Sequence, residues 1–235
     1  MRYSRQIPIF GSDGQRKIER STVAVIGLGG LGCNVITQLA SAGIGKLIIA
    51  DHQDPDETNL NRQFVYSYFG LDDIKTVSSK KWIEGISRTS VVANNVKVSS
   101  DNVSIIEGCD VIVDCTDNIE TRIVLNRFSL DRRIPLVHGG TESMFGQVSV
   151  VIPGITPCLN CFLPKNESKD APSVGSVVSL IAAIQSTEVL KLITGTGETL
   201  AGKLMTVDMG TNTYCILDLV RNEDCSECCN MTREI

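Results

Sequence analysis

Short apolar runs alternate with longer stretches of helical composition through the first half of the chain. Five runs rich in β-branched residues predict strands, at residues 22–26, 46–50, 91–98, 111–114 and 135–138. Three stretches between them predict helices, at residues 33–42, 75–87 and 121–131. Strands separated by helices of this length are typical of βαβ units, so this half predicts a parallel sheet flanked by helices.

After about residue 140 this alternation gives way to a different pattern. In chain order it predicts an alternating apolar and polar run at residues 147–152, an exposed polar loop at 163–172, a helix at 176–193, and two strands at 203–208 and 213–219. A turn sequence, Gly210-Thr211-Asn212, joins the last two strands, so we expect them to pair antiparallel. The predicted fold class is α/β: one Rossmann-like domain over residues 1–235, whose C-terminal third extends a mostly parallel sheet.

The composition is that of an ordinary acidic globular protein. Hydrophobic residues make up 42% of the chain and charged residues 21%, so we expect no intrinsic disorder. The net charge of −5 weighs against nucleic-acid binding, because a non-specific nucleic-acid binder needs a basic surface. An anionic substrate would therefore need a local basic cluster within an acidic protein.

The apolar stretches are too short to predict a membrane span. The most apolar one, residues 174–184, is followed by Gln185, Glu188 and Lys191, whereas a span needs about 20 apolar residues. The N-terminal segment lacks the apolar core of a signal peptide. We therefore expect a cytoplasmic protein with no membrane partner, in which nine cysteines indicate metal or thiol chemistry before disulfides.

A glycine-rich turn, GLGGLG, joins the first predicted strand to the first predicted helix. Gly27, Gly29 and Gly32 match GxGxxG, Gly30 lies between them, and Asp51 ends the second strand. Such a turn lets phosphates approach the positive end of a helix dipole, and the acidic residue is in place to bind a ribose. The pattern predicts a nucleotide site; the alternative is a turn whose glycines serve only helix–strand packing.

Further motifs follow in a fixed order. They are RYSRQ at residues 2–6, the glycine turn at 27–32, NLNRQ at 59–63, Lys75, TDN at 116–118, and two pairs of cysteines. Together they resemble the adenylating family of the ubiquitin-activating (E1) superfamily, whose bacterial members include the MoeB, ThiF and HesA types. The resemblance implies that a substrate carboxylate attacks the α-phosphate of ATP, expels pyrophosphate and forms an acyl-adenylate. It also implies a nucleotide-binding half at residues 1–140 and a substrate and zinc half at 141–235.

The resemblance assigns a role to each motif residue. Gly27, Gly29, Gly30 and Gly32 would form the nucleotide loop, Asp51 would bind the ribose, Asn59, Arg62 and Lys75 would hold the phosphates, Asp117 would bind Mg²⁺, and Arg5 would reach the γ-phosphate from the partner subunit of a homodimer. The reaction needs no general base, since a carboxyl group with a pKa of about 3.3–3.7 is already ionised at neutral pH. It needs fixed cations and a metal, with Arg62, Lys75, Asp117 and Arg5 as the catalytic set. The alternatives are solvated surface charges for Arg62 and Lys75, and a structural role for Arg5.

One position departs from the family pattern. Family members often have Asp-x-Asp where this chain has Asp51-His52-Gln53, so a second acidic metal contact is missing there. Asp117 is then the main metal candidate. Arg122, one turn further on, is interpreted as a helix residue that pairs with Asp117.

The cysteines include two widely separated CxxC pairs. Cys158 and Cys161 form the first, and Cys225 and Cys228 the second, with Cys229 directly after it. Four thiolates in two such pairs suit a closed, structural Zn²⁺ site. A redox-active pair and a disulfide are the alternatives. The spacing also resembles the zinc site of the same family.

The segment after the first CxxC pair contains no cysteine. Residues 162–175 form the crossover loop in which some family members carry a nucleophilic cysteine, and Ser173 is the nearest hydroxyl here. We therefore predict adenylation without a thioester on this loop, followed by transfer to a separate acceptor protein. The sequence slightly favours a small-molecule carboxylate, like that activated by the E1-like adenylyltransferase of iron-guanylylpyridinol cofactor biosynthesis. The alternative substrate is the Gly-Gly terminus of a ubiquitin-like sulfur carrier in molybdopterin or thiamine biosynthesis.

Two other function classes fit parts of the sequence. The glycine loop alone also suits an NAD-dependent dehydrogenase, which would bind NAD(H) without a need for magnesium. A non-catalytic nucleotide sensor is the second class. Intact Arg62, Lys75 and Asp117 weigh against the sensor, because a sensor needs no contacts to a reacting phosphate.

Overall fold

The fold is built on one mixed sheet of eight strands. It is seen in a computed structural model that describes residues 2–164 and 172–229. The strands are β1 Thr22–Ile26, β2 Lys46–Asp51, β3 Ser90–Asn95, β4 Val111–Asp114, β5 Leu136–Glu142, β6 Phe145–Val151, β7 Lys203–Asp208 and β8 Thr213–Asp218. The α-helices are α1 Ile7–Arg20, α2 Gly30–Ala42, α3 Phe64–Phe69, α4 Lys75–Ile86, α5 Ile119–Arg132, α6 Leu159–Phe162 and α7 Gly175–Thr194. Two short 3₁₀ turns lie at Glu57–Asn59 and Val103–Ile106.

The strand order is β3-β2-β1-β4-β5-β6-β7-β8, and the pairing changes direction once. The first five strands in this order are parallel, and β5 through β8 are antiparallel. This confirms the predicted α/β fold with antiparallel strands at its C-terminal end. The central strands β1 and β4 are buried along nearly their whole length, as expected when helices cover both faces of a parallel sheet.

Several element boundaries differ from the sequence pattern, for physical reasons. Strand β5 runs to Glu142 rather than residue 138, because after leaving β4 it continues against the antiparallel β6. Strand β3 ends at Asn95, and the buried Val98 beyond it packs against the sheet from a loop. Helix α1, which the pattern did not predict, is tied to the end of α2: the amides of Gln6 and Gln15 donate to the Ala42 carbonyl.

Helix α7 is long and apolar enough to cross a membrane, by length and composition only. Half of its apolar window is buried inside the domain. Its polar side chains have partners there: Gln185 donates to the Asp114 carbonyl at 2.9 Å, and Glu188 accepts from the Leu200 amide at 2.7 Å. These contacts are those of a core helix, and the cytoplasmic location stays a prediction.

Candidate functional site

The candidate site lies where the strand order reverses. Strands β2 and β4 flank β1 on opposite sides, so the connections from β1 and β4 leave a crevice at the carboxyl ends of the strands. Ligands bind at such a point in open α/β sheets. A cavity of about 860 Å³ occupies it, and residues from the ends of β1, β2, β4 and β5 line it.

The glycine turn shapes one wall of this cavity. Gly27 has a φ of +88°, and a Cβ there would lie 2.6 Å from the Cys115 carbonyl oxygen. Helix α2 then begins at Gly30, with Gly29 before it and no side chain capping its first turn. Its free N–H groups and helix dipole favour an anion in the cavity.

Gly32 serves the turn in another way. It does not belong to the cavity lining, whereas Gly27, Gly29 and Gly30 do. A Cβ at Gly32 would lie 1.9 Å from the Gly27 carbonyl oxygen, so only glycine lets α2 approach β1 this closely. Gly32 therefore serves the packing of the helix on the strand, whereas Gly29 and Gly30 are placed to border a bound ligand.

Asp51 fixes the loops on both sides of the crevice. Its Oδ2 accepts from the Leu28 amide at 2.6 Å, and its Oδ1 accepts from the Gln53 amide at 2.8 Å. Asp51 is 8% exposed and lines the cavity. A carboxylate oxygen has more than one lone pair, so this side chain can also accept from ligand hydroxyl groups.

Two cations in the cavity wall have no acidic partner among the described residues. Lys75 is 2% exposed, and its Nζ donates to Gln53 Oε1 at 3.2 Å. The Arg62 guanidinium donates to the Thr58 carbonyl and to Asn61 Oδ1, at 2.9 and 2.8 Å. Within residues 2–164 and 172–229, no carboxylate oxygen lies within 4.0 Å of either cation. The buried charge of Lys75 needs a counter-ion, and a ligand phosphate suits both Lys75 and the half-buried Arg62.

The remaining predicted residues divide between the cavity and the surface. Asn59 and Asp117 line the cavity, and Asp117 is exposed at the start of α5 with Asn118 Nδ2 3.4 Å from its carboxylate. Its carboxylate oxygens are the kind of ligand that Mg²⁺ prefers. Arg5 lies exposed in the turn before α1 and is not part of the lining. The single chain does not bring Arg5 to the site, so its action across a dimer stays a prediction.

A buried polar network that the sequence did not indicate lies beneath the site. His138 Nδ1 lies 2.8 Å from Asp114 Oδ2, and both side chains are fully buried. On its other side, His138 Nε2 lies 3.3 Å from Nε2 of Gln147, which lines the cavity. The Arg122 Nε lies 3.4 Å from Asp114, so Arg122 pairs with this carboxylate.

Burial and charge act together on this network. Burial opposes ionisation of Asp114, but the hydrogen bond from His138 and the charge of Arg122 outweigh it and lower the pKa of Asp114. Burial lowers the pKa of His138 despite the nearby carboxylate. At neutral pH the pair is therefore a carboxylate beside a neutral imidazole.

The four cysteines of the two CxxC pairs form a cluster at the C-terminal end of the described chain. Their sulfur atoms all lie within 4.8 Å of one another, with 3.7 Å between Cys158 and Cys225 and 3.4 Å between Cys161 and Cys228. A tetrahedral zinc site with Zn–S bonds of about 2.3 Å places its sulfurs ~3.8 Å apart, so the four donors fit zinc. All nine cysteines are free, and no disulfide joins any of them in the described residues.

Neighbouring contacts hold this cluster to the domain. Arg127 on α5 makes two hydrogen bonds of 2.8 Å to the carboxylate of Glu227, which lies between Cys225 and Cys228 in the chain. Burial disfavours the Cys225 thiolate, but backbone N–H groups of Glu227 and Cys228 lower the pKa of Cys225 to about 7 overall. Burial raises the pKa of Cys158 to about 11 and also raises the pKa of Cys228, so metal binding to these two thiols would release their protons.

The crossover loop is described only at its two ends, and its residues 165–171 lie outside the described part of the chain. The end that precedes α7 returns to the site, where Ser173 lines the cavity and pairs with Ser143. The prediction of an exposed loop at 163–172 therefore falls mostly on residues that the structure does not describe.

Comparisons with known proteins agree with this geometry. The sequence pattern of the ThiF family matches residues 3–228. The adenylyltransferase and sulfurtransferase MOCS3 of Aedes aegypti is 34% identical over 97% of this chain, which spans 55% of that protein. The heterocyst protein HesA of Trichormus variabilis is 32% identical, and the match covers 97% of this chain and 88% of that protein.

Solved structures share the fold. The crystal structure of E. coli MccB with ATP has a TM-score of 0.87 at 22% identity, covering 97% of this chain and 73% of that chain. The structure of PaaA has a TM-score of 0.82 at 23% identity, covering 94% of this chain and 73% of that chain. At this level of identity the likeness extends to the fold alone.

Proposed function

This chain belongs to the ThiF family of E1-like adenylating proteins, and from that premise we propose that it catalyses ATP-dependent adenylation of a substrate carboxylate. The products would be an acyl-adenylate and pyrophosphate. The observation that carries the proposal is the pair of cations, Arg62 and Lys75, which have no described acidic partner and line one cavity with the uncapped start of α2. The chain spans about half the length of the MOCS3 proteins it matches, so the proposal concerns the reaction of this domain.

The chemistry is a displacement at the α-phosphorus. A carboxylate oxygen forms a bond to that phosphorus, and the bond from phosphorus to the bridging oxygen breaks as pyrophosphate leaves with the electron pair. Both partners are anions, so the main tasks are to hold them in line and to stabilise the charge on the phosphate oxygens. No proton transfer is needed, because the carboxylate is already ionised.

Each cavity residue has a part in this scheme. The Asp51 carboxylate would accept from the ribose hydroxyls, while Asn59, Arg62 and the α2 N-terminus would hold the phosphates. Lys75 would lie at the α-phosphate, where charge develops. Asp117 would hold Mg²⁺, whose charge would neutralise the leaving pyrophosphate. Arg5 would reach the γ-phosphate from the partner subunit of a homodimer.

The carboxylate itself has two candidate sources. MOCS3, at 34% identity, is named as an adenylyltransferase and sulfurtransferase, which favours a protein substrate such as a ubiquitin-like sulfur carrier. The small-molecule carboxylate, of the guanylylpyridinol kind, stays a prediction. For either source, the acyl group would pass to a separate acceptor protein.

The two halves of the chain have separate tasks in this proposal. Residues 1–140 supply the nucleotide loop and the cations, and residues 141–235 supply the Gln147 side of the cavity and the cysteine cluster. That cluster would bind one structural Zn²⁺, because four cysteines leave no open position for a substrate.

ATP–pyrophosphate exchange tests the proposal. With a carboxylate substrate and Mg²⁺, the wild-type protein should exchange label between pyrophosphate and ATP, and the panel should contain a Gly-Gly-ended carrier and a pyridinol carboxylate. Lys75→Ala should lower the exchange rate by about 10²–10³-fold, as removal of a preorganised charge-stabilising group does. Lys81→Ala is the matched control, since Lys81 lies on the same helix but is exposed and pairs with Asp73.

The outcomes of this experiment separate the function classes. Full activity in Lys75→Ala would refute the assigned role of this residue. Tight binding of NAD(H) together with magnesium-independent activity would favour the dehydrogenase. Binding of ATP with no exchange for any carboxylate would favour the non-catalytic sensor.

A further inference from the structure

Gln147 lies at the edge of the cavity away from the glycine turn. It is on β6, directly opposite Gly140 of β5. Gly140 has no side chain in the way, and a Cβ there would lie 3.4 Å from Gln147 Nε2 and 3.7 Å from His138 Nε2. The Gln147 amide can therefore lie across β5 and reach His138.

The hydrogen bonds of His138 determine which way this amide points. The Asp114 carboxylate can only accept, so the proton of the neutral imidazole is on Nδ1, 2.8 Å away. His138 Nε2 then carries a lone pair and no hydrogen. Gln147 can bond to it, at 3.3 Å, only through its NH₂ group. The buried Asp114–His138 pair thus fixes the amide orientation of Gln147.

The carbonyl oxygen of Gln147 is consequently the free end of the amide. Within residues 2–164 and 172–229, Oε1 of Gln147 makes no hydrogen bond, and its residue is half-buried in the cavity wall. Thr141, which follows Gly140 on β5, and Ser173 line the same cavity. An acceptor of fixed orientation therefore belongs to the cavity wall on β6, three strands along the sheet from β1 and its glycine turn.

We propose that Gln147 is a specificity-determining residue whose Oε1 accepts a hydrogen bond from an N–H group beside the carboxylate that is activated. This inference rests on the proposed function. The site then favours carboxylates that carry such a donor over those with an ether or ester oxygen in its place, since two acceptors facing each other leave both unpaired. A peptide amide and the ring N–H of a pyridone both supply the donor. His138 and Asp114 act as positioning residues for Gln147.

Stable analogues of the acyl-adenylate provide the test. Acetyl-sulfamoyladenosine is the parent compound; N-acetylglycyl-sulfamoyladenosine adds the N–H, and acetoxyacetyl-sulfamoyladenosine has an ester oxygen in its place. A second pair, 6-pyridonylacetyl-sulfamoyladenosine and its N-methyl form, represents the ring donor. Calorimetric titration of the full chain should give at least one pair in which the N–H compound binds about tenfold more tightly, or about 1.4 kcal/mol.

The variant Gln147→Met keeps the size of the side chain and removes the acceptor. It should bind both members of the discriminating pair equally, while its affinity for the parent compound stays unchanged. Thr206→Val is the matched control, because Thr206 pairs with Gln147 from β7 but is not part of the cavity lining. His138→Phe, if it folds, should weaken the preference although Gln147 is still present.

Each outcome decides between the inference and the function beneath it. Equal binding within both pairs by the wild type would overturn the inference, and so would a preference that survives in Gln147→Met. If no analogue binds, the parent included, the proposed function falls together with the inference. Preference within only the peptide pair or only the pyridone pair would support the inference and identify the source of the donor.

Discussion

Removal of metal from the cysteine cluster should destabilise the whole domain rather than one loop. The cluster joins the segment around Cys158 to that around Cys225, which are 67 residues apart in the chain. A link that closes a loop of this length lowers the entropy of the unfolded chain, and the chain-entropy relation gives about 4 kcal/mol of stabilisation. The Arg127–Glu227 pair joins the second of these segments to α5, but an ion pair with an exposed arginine contributes only about 0.2–1 kcal/mol and cannot replace the metal.

This stabilisation corresponds to a measurable shift in the melting temperature. For a chain of this size, 1 kcal/mol shifts the midpoint by about 2–4 °C, so metal removal should lower it by about 8–16 °C. Differential scanning calorimetry before and after chelation measures the shift, and mass spectrometry should find about one zinc per chain. Cys225→Ser should melt like the chelated protein, whereas Cys215→Ser, an exposed thiol outside the cluster, should melt like the wild type.

A metal that contributes nothing to stability would have no structural role. A metal-free preparation that melts within about 2 °C of the loaded one would refute the structural role of zinc. If the cysteine cluster held a metal other than zinc, the assignment of zinc would be refuted.

Three further predictions test other features. Gly32→Ala should lower the free energy of unfolding in urea by about 1–3 kcal/mol or more, because its Cβ would lie 1.9 Å from the Gly27 carbonyl oxygen. Gly85→Ala, in α4 with open space around it, is the control and should leave that free energy unchanged or raise it by about 0.5–1 kcal/mol. Equal effects of the two substitutions would contradict the close packing of α2 on β1. Asp117→Asn should raise the Mg²⁺ concentration needed for half-maximal exchange without changing the melting temperature; an unchanged Mg²⁺ dependence would remove Asp117 as the metal ligand. Arg5→Ala and Lys75→Ala subunits, inactive separately, should regain roughly a quarter of wild-type activity when mixed equally, because one site in four is then intact in a dimer with shared sites; no recovery would make Arg5 a local residue.

Much of the fold and part of the site could be predicted because the signals are local in sequence. Runs of β-branched residues predict the buried parallel strands, and their order with the helices between them predicts the sheet. The spacing of the motifs was also informative: Asp51, Asn59, Arg62, Lys75 and Asp117 all line one cavity, because parallel strands end at one edge of the sheet. Arg5 could not be placed in this way, since one sequence contains no information about a second copy.

The Asp114–His138–Gln147 network could not be predicted, because nothing in the sequence around each residue indicates more than a buried strand. They are 24 and 9 positions apart, and only the register of β4, β5 and β6 brings them together. A weak signal existed: a single histidine in an apolar strand, with an acidic residue ending the preceding strand. Helix α1 was not predicted either. Gly11 and Gly14 weaken its helical pattern in the sequence, and contacts with α2, which the sequence does not show, stabilise it.

The isolation of Lys75 has a consequence for the protein when no nucleotide is bound. The Lys75 ammonium is 2% exposed, and its described contacts are uncharged: the Gln53 amide oxygen at 3.2 Å and the Tyr66 ring, whose centre is 5.9 Å away. Desolvation of this charge therefore opposes folding. Binding of a polyanion would offset that cost, and stability should therefore rise with ATP concentration as RT ln(1 + [ATP]/Kd). An apolar side chain at position 75 should therefore make the folded domain more stable and, under the proposed function, remove the adenylation activity.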